Sequence, residues 1–583
     1  PGFGNVLMIV LGKEAPFQFL TRVYNEFKNE ALIGVFMKTY PALVVKDPDL
    51  IKDIMIKDFY KFPNRGFPKS DSADPLTQHL FLVEEEKWRP LRTQLSPVFS
   101  TGKIIEIYTT TQKKFKLSSI NVIFCAICIM LLAIYYYYTS IYNYWKVRGI
   151  PGPEPTIIIG NFMEVFLKKI SINDKLRFLY NKYKNEPMFG IFEGSSPILV
   201  LNDLDLIKDV LIKDFSIFSN RGFRIFPKAE PLGEHLFALE TERWRPMRAK
   251  LSPIFTSGKL KEMFPLIIEC SKNMEPYLDK IAERGKYIEC RDLAAKFTTD
   301  VIGSCAFGID MNSISDKDSE FRIIGRKLFT PTFKTIVRDV CRQFLPGLYD
   351  VIGHKLQIEE VNEFLTNLIK DTINYRKENK IVRPDFVNTL IELKDHPEKL
   401  ETIKLTDSMI ASQAFVFFVA GFETSSSTIS HALYELAQNQ EIQDKLREEI
   451  REVYEKHGEL TYDVIKNMKY LDKVLKETLR KYPIMAMLTR EAQENYTFKG
   501  TKVTIEKGIK VWILPYGIQN DPDIFPNPDI FDPERFDEEA VAARHPMSYL
   551  PFGDGPRNCI GARFAQFQSK IGIITIVRNH KID

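Results

Sequence analysis

One cysteine stands apart from the other six in this chain. Cys559 lies in Phe552-Gly553-Asp554-Gly555-Pro556-Arg557-Asn558-Cys559-Ile560-Gly561, a loop with glycines on both sides and an apolar helical pattern beginning near Ile560. Gly553 and Gly555 let the backbone turn tightly and pass close to a flat ligand. Amides left free in such a turn, and at the start of the following helix, can donate to a sulfur and hold it as thiolate. Arg557 adds a positive charge that a carboxylate would accept. This spacing serves a metal-thiolate loop, and an iron porphyrin held by Cys559 alone satisfies all of it. A single axial thiolate pushes electron density onto iron and favours O–O cleavage. A lone cysteine is ordinarily a small buried hydrophobe; the glycines and the arginine around this one reverse that reading.

Two further clusters carry chemistry. In Ala420-Gly421-Phe422-Glu423-Thr424, Gly421 weakens a helix and the Thr424 hydroxyl can bond back to a carbonyl one turn earlier, opening a local bulge. A water can enter such a gap, and Glu423 and Thr424 could then pass protons to dioxygen. In Glu477-Thr478-Leu479-Arg480 the i, i+3 spacing brings a carboxylate and a guanidinium onto one helix face. Read alone, Gly421 is a packing glycine, Thr424 a helix hydroxyl, and Glu477–Arg480 a surface pair worth little.

The elements that must position these residues are mostly helical. Gly190 to Leu201 reads as two short strands around a turn at Gly194-Ser195-Ser196. Helical periodicity then dominates to about residue 480, with 405–450 mostly helical. Trp244 and Arg248 sit four apart on one helix face. Arg490 follows Pro483 and Leu488 in an extended stretch, and Asp521 to Pro533 is rich in turn residues and reads as an irregular loop. The fold class is therefore mainly α with small β-sheets.

The chain has 583 residues, 44% apolar and 27% charged, with a net charge of +4. That length holds one large domain and a further segment, and the charge balance lacks the dense basic arm of a nucleic-acid binder. Seven scattered cysteines, an odd count, argue against a disulfide scaffold and fit a reducing compartment. Ile120 to Tyr138 is an apolar and aromatic run broken only by Asn121, long enough to span a bilayer. Tyr135–Tyr138, Tyr142, Tyr144 and Trp145 form an interfacial aromatic belt beside it. Cys125 and Cys128, with CxxC spacing inside this run, read as membrane-buried side chains rather than as zinc ligands or a redox pair.

Residues 1–108 repeat as 157–264 at a constant offset, without a gap. Asn64-Arg65-Gly66-Phe67 returns as Asn220-Arg221-Gly222-Phe223, Trp88-Arg89-Pro90 as Trp244-Arg245-Pro246, and Leu95-Ser96-Pro97 as Leu251-Ser252-Pro253. Two copies at so long a period are a partial duplication rather than a solenoid. The first copy stops before any element that could ligate heme. Alone it should expose the faces meant to pack on the remainder of a domain.

Phe552, Gly555, Arg557, Cys559 and Gly561 match every fixed position of Phe-x-x-Gly-x-Arg-x-Cys-x-Gly and so resemble the heme-binding signature of the cytochrome P-450 family. Ala420–Thr424 is similar to that family's oxygen-activation motif. Glu477 and Arg480, followed by Pro533-Glu534-Arg535-Phe536, resemble its ExxR pair closed by a second arginine, Arg535. The resemblance implies that fold, with heme b ligated by Cys559 and Thr424 and Glu423 as proton relays. It implies propionates held by Trp244, Arg248, Arg490, Arg557 and Arg221, and a structural role for Glu477, Arg480 and Arg535. The likeness is to the insect microsomal family 6 type: a monooxygenase that inserts one atom of dioxygen into an apolar small molecule. NADPH then acts only indirectly, through an NADPH-cytochrome reductase, with cytochrome b5 as a further candidate partner. The same resemblance places the protein in the endoplasmic reticulum membrane.

On this reading, residues 1–108 are a truncated copy of the N-terminal part of the catalytic domain. Residues 109–148 are linker and membrane anchor, and 149–583 are the heme-thiolate domain, ending before the family's C-terminal β-hairpin. Lys146-Val147-Arg148-Gly149-Ile150-Pro151-Gly152-Pro153 resembles the basic, proline-rich hinge that follows the anchor in microsomal members. In those members the anchor opens the chain; here it is internal. Lys103, Lys113, Lys114 and Lys116 precede the span while Lys146 and Arg148 follow it, which leans towards a lumenal domain. The resemblance implies a cytosolic one, where an electron donor can reach it. Two other readings stand beside this: a reductase-independent heme-thiolate isomerase or dehydratase, and a fused, truncated membrane protein that never takes up heme.

Overall fold

The computed structural model describes residues 15–37, 40–66, 80, 81, 83–100, 102, 103 and 119–583, less 286, 316–318, 384, 397 and 399–404. Contacts divide the chain into two units, Pro1–Met130 and Leu131–Asp583.

The first unit contains helix α1 (Pro16–Glu26), hairpin strands β1 (Leu32–Met37) and β2 (Tyr40–Val45), and helix α2 (Glu85–Leu95). Pro16 starts α1 because its missing N–H falls where no helical partner exists. Phe19 and Val23, one turn apart, pack on Ile33 and Val35 of alternate β1 positions, and this small cluster is the core. Residues 104–118, most of the linker, and Phe67 of the repeat lie outside the described residues.

Helix α3 (Ser119–Tyr142) follows. The stretch Ala126–Val147 is long and apolar enough to cross a membrane, and only 6% of it is buried by protein. That window begins and ends later than 120–138, and the side chains of 119–123 and 125 lie outside the described set. The described cysteines are free.

The second unit begins with the same series as the first: α4 (Ile172–Tyr183), β3 (Met188–Glu193), β4 (Ser196–Leu201) and, further on, α5 (Thr241–Leu251). Long helices α6 (Ser257–Glu283), α7 (Cys290–Ile302) and α8 (Asp407–Gln438) follow. Then come α9 (Lys469–Lys481), strands β5 (Leu488–Glu491) and β6 (Lys510–Ile513), and α10 (Ala562–Asn579). The strand hairpin and the extended stretch around Arg490 are where the pattern puts them. The helical run 405–450 is broken at Asn439, which ends α8 before a new helix starts at Gln440.

The sheet order is β3-β4-β6-β5, with β4 and β6 parallel and the other pairs antiparallel. β4 is covered on both faces, so Ile198, Leu199, Val200 and Leu201 are all buried, an unbroken apolar run as a central strand requires. The contrast with the first unit is direct. Leu32, Phe36 and Leu43 are 44%, 53% and 60% exposed, while Met188, Phe192 and Leu199 at the repeated positions are 3%, 2% and 0%. The cover in the second unit comes from residues with no repeat in the first, β6 among them.

α8 is the axis of the larger core. Thr406 caps it by accepting the Met409 N–H at 3.1 Å. α7 and α10 cross it, and α10 is buried from Gln568 to Val577. At the α7 crossing Gly421 meets Ile302, where a Cβ has no room.

The segment read as a hinge is packed instead. Ile150 is buried, the Gly190 N–H donates to Pro151 O at 2.8 Å, and Gly152 lies flat on the Gly190 carbonyl. Tyr142 and Trp145, at the end of the apolar stretch Ala126–Val147, belong to the same buried cluster as the sheet. Two aromatic rings with a slot to fill outweigh the flexibility that glycine and proline suggest locally.

Candidate heme-thiolate site

Residues 550–561 form an irregular loop leading into α10. Gly553 and Gly555 both adopt positive φ, +67° and +73°, which side chains resist. Gly555 also lies on the Leu211 carbonyl, where a Cβ would collide. The loop closes on itself: Cys559 N–H donates to Phe552 O at 2.9 Å and Asn558 N–H to Gly555 O at 3.1 Å. Phe552 packs against the main core. Gly561 is the cap of α10, with an ordinary φ of −92°, and its N–H supports the Cys559 sulfur. Cys559 is accessible at the surface while protein crowds around its thiol. That burial pushes the thiol pKa up, against the pull of the Gly561 N–H and the charges of Arg248 and Arg221.

Four guanidinium groups from four separate parts of the chain converge here. Arg557 is 1% exposed, donates to Leu239 O, and stacks 4.5 Å over the Trp244 ring. Arg221 donates to Phe237 O and to Arg557 O, both at 2.8 Å. Arg248, one turn beyond Trp244 on α5, donates to Asn558 O at 2.8 Å and Asn558 Oδ1 at 3.0 Å. Arg490 on β5 is 3% exposed and donates to its neighbour Thr489 O at 2.9 Å.

Their electrostatics are unbalanced. Burial lowers Arg490 to about 10 and Arg557 to about 9, and the charges of Arg490 and Arg248 add to the effect on Arg557. Arg221 is lowered well below the usual range by burial and then by Arg490 and Arg557. Glu240 is the carboxylate that acts on Arg557, but Arg243 holds it in an ion pair. Arg557 Nε and Nη1 and Arg490 Nε are buried without a hydrogen-bond partner. Buried donors and like charges so arranged call for a multiply anionic ligand. Heme b, planar and carrying two carboxylates, fits this donor set beside a cysteine sulfur.

The oxygen-activation residues lie on α8. Thr424 Oγ1 donates to Ala420 O at 2.6 Å, the back-bond expected of it. The helix nevertheless runs unbroken from Asp407 to Gln438, so the expected bulge is not formed. Gly421 acts at the α7 crossing, as a packing glycine. Glu423 turns to Arg291 on α7, with which it forms an ion pair.

The Glu477–Arg480 pair is fully buried on α9, not a surface pair. Arg480 Nε donates to Glu477 Oε2 at 2.7 Å and Nη2 to Oε1 at 2.8 Å. Arg480 also donates to Gln519 O at 2.9 Å and Pro528 O at 2.7 Å, and the Asp532 N–H reaches Glu477 Oε1 at 3.0 Å. Arg535 Nε completes the set at 3.4 Å from the same carboxylate.

Three residues outside the motifs complete the frame. Gln519, wholly buried, donates to Leu479 O at 2.9 Å and Arg480 O at 3.1 Å and accepts the Leu550 N–H at 2.8 Å, tying α9 to the cysteine loop. Gln413 on α8 donates to Glu234 O and accepts the Leu236 N–H, each at 2.8 Å, holding the loop that leads to Leu239. Asn558 receives Arg248. Position 558 is variable in the signature and the two glutamines stand in apolar runs, so only burial identifies them.

A sequence model of the cytochrome P450 family matches residues 1–116 and 150–583. The chain is 44% identical to probable cytochrome P450 6a14 of Drosophila melanogaster over 469 residues, 77% of this chain and 91% of that one. It is 43% identical to cytochrome P450 6A1 of Musca domestica, covering 76% and 88%, and 39% identical to cytochrome P450 6B2 of Helicoverpa armigera, covering 78% and 91%. The chain belongs to the cytochrome P450 family, as a heme-dependent monooxygenase of the insect family 6 type.

Proposed function

We propose that this protein is a membrane-anchored monooxygenase that inserts one atom of dioxygen into an apolar small molecule. Its electrons come from NADPH through a reductase, and its catalytic domain faces the cytosol from the endoplasmic reticulum membrane. The observation that carries the reading is the Cys559 loop, with Arg248 and Arg221 acting on its sulfur in a cluster of four arginines that, among the described residues, form no carboxylate ion pair. When bound there, heme supplies the chemistry of dioxygen reduction. The protein's part is separate. Cys559 would hold the heme iron through its sulfur, with the Gly561 N–H and the charges of Arg248 and Arg221 favouring thiolate. Arg221, Arg248, Arg490 and Arg557, with Trp244, would hold the heme carboxylates. Phe552, Gly555 and Gly561 shape the loop that presents the sulfur. Thr424 and Glu423, both on α8, would hold and pass on protons. Glu477, Arg480 and Arg535 keep the frame behind the loop fixed.

The apolar stretch Ala126–Val147 supports the anchor. The repeated order of elements and the two matched stretches support reading residues 1–108 as a partial copy of the domain's front. Expression of the full chain in membranes tests the whole. The reduced, carbon monoxide-treated protein should show the red-shifted Soret band of thiolate-ligated heme, and Cys559→Ser should abolish it. Thr424→Ala should keep the band while NADPH oxidation uncouples from product. Absence of any heme band from the full chain would leave the fused, inactive reading in its place.

A further inference from the structure

The first unit keeps half of the arginine site in working geometry, without the loop that covers it in the second. Asn64 Oδ1 accepts the Glu85 N–H at 2.7 Å, as Asn220 Oδ1 accepts the Thr241 N–H at 2.7 Å. Arg65 donates to Phe81 O at 3.1 Å and lies 3.9 Å over the Phe81 ring; Arg221 does the same with Phe237 at 2.8 Å and 4.1 Å. Phe59 and Trp88 meet at 5.8 Å, as Phe215 and Trp244 do at 5.9 Å.

What differs is the fate of the cations. In the second unit Arg557 stacks on Trp244, and Arg248 spends its donors on Asn558. The first unit's sequence holds no counterpart of residues 552–561. Among the described residues, Arg92 has only the Trp88 ring, 5.5 Å away, as a partner, and Trp88 is half-exposed. Arg89 is paired with Glu85 at 2.6 Å. Phe59, Trp88, Arg89, Arg92, Thr93 and Ser96 line an open cavity of about 400 Å³.

A guanidinium free of carboxylates takes a carboxylate bidentately, and an indole face beside it takes a flat aromatic surface. We propose that this cavity is a second ligand site, for a planar aromatic carboxylate, with Arg92 holding the acid and Trp88 the ring.

The test uses the full chain in detergent or nanodiscs and the fluorescent probe 1-pyrenebutyrate, read by anisotropy. The neutral 1-pyrenebutanol serves as comparison, and Arg92→Ala and Arg92→Lys as variants. Arg92 is exposed, and neither substitution touches the catalytic unit. The expected result is a saturable component for the acid, weakened at least tenfold in Arg92→Ala, intermediate in Arg92→Lys, and missing for the alcohol. Equal acid binding by wild type and Arg92→Ala, or equal binding of acid and alcohol to that component, overturns the proposal. The inference rests on the repeat and not on heme uptake, so the titration reports on Arg92 whatever the carbon monoxide spectrum of the same preparation shows.

Discussion

Trp145 lies against Gly190 so closely that a Cβ on the glycine would fall inside the indole, and the indole N–H donates to Ile191 O at 3.0 Å. The end of the apolar stretch Ala126–Val147 is thereby part of the catalytic core. Tyr142 adds bonds to Thr156 O at 2.9 Å and Gly194 O at 3.2 Å, and Tyr144 and Arg148 both bond Glu506. Trp145→Ala should cost about 3–5 kcal/mol through the cavity it leaves, and Gly190→Val should prevent the indole from docking. Thermal unfolding followed by heme absorbance reads both. Limited proteolysis of the native protein should leave 146–153 uncut, which a free hinge would not.

Glu477 and Arg480 are each wholly buried and bonded twice to one another. Removing one partner strands the other's charge and its remaining donors. Glu477→Gln and Arg480→Leu should each destabilise by about 3–5 kcal/mol, lowering the yield of folded hemoprotein with little change in the Soret maximum of what survives. A shifted maximum at normal yield would place the pair at the heme rather than behind it.

The arginine cluster should behave oppositely with and without its anion. Arg490→Leu removes a buried, poorly bonded charge and some repulsion, so the heme-free protein should gain about 1–2 kcal/mol. If Arg490 holds a heme carboxylate as proposed, heme should leave the same variant about tenfold faster, equivalent to ~1.4 kcal/mol. Apoprotein melting and heme transfer to a scavenger globin measure the two sides.

His235 carries a pH dependence. Burial lowers it to about 4 from 6.5, with Arg221 and Arg342 adding to the shift, and its Nδ1 has no hydrogen-bond partner. The unfolded chain therefore takes up the proton first. Stability from this group is constant above pH 6.5 and falls as pH drops through the window from 6.5 to 4, by no more than about 3 kcal/mol. His235→Gln should flatten the melting temperature across that window and leave it unchanged at pH 7.5.

The cysteine loop, the strand hairpin and the helix bearing Trp244 and Arg248 were legible because each is local. Glycine placement, two-residue alternation and four-residue spacing act over a few residues. Spacing alone made Glu477 and Arg480 legible as a pair, and only the family resemblance implied a buried one. A hydrophobic face shows which way a helix turns and not what covers it.

Only the tertiary structure decided the rest. Spacing alone carries no mark that Arg221, Arg248, Arg490 and Arg557 meet, which only the family resemblance implied; chain closure over hundreds of residues brings them together. Gln519 and Gln413 matter because burial leaves their amides one place to bond. The resemblance of 146–153 to a family hinge did not foretell that this segment packs beside the slot filled by Trp145. The repeat separates the two levels most clearly. Leu43 and Leu199 occupy the same position of the same hairpin, one 60% exposed and the other 0%. Sequence determined the hairpin in both units, by alternation and turn chemistry; whether its apolar face is buried depended on β6 and the helices, which follow only the second copy.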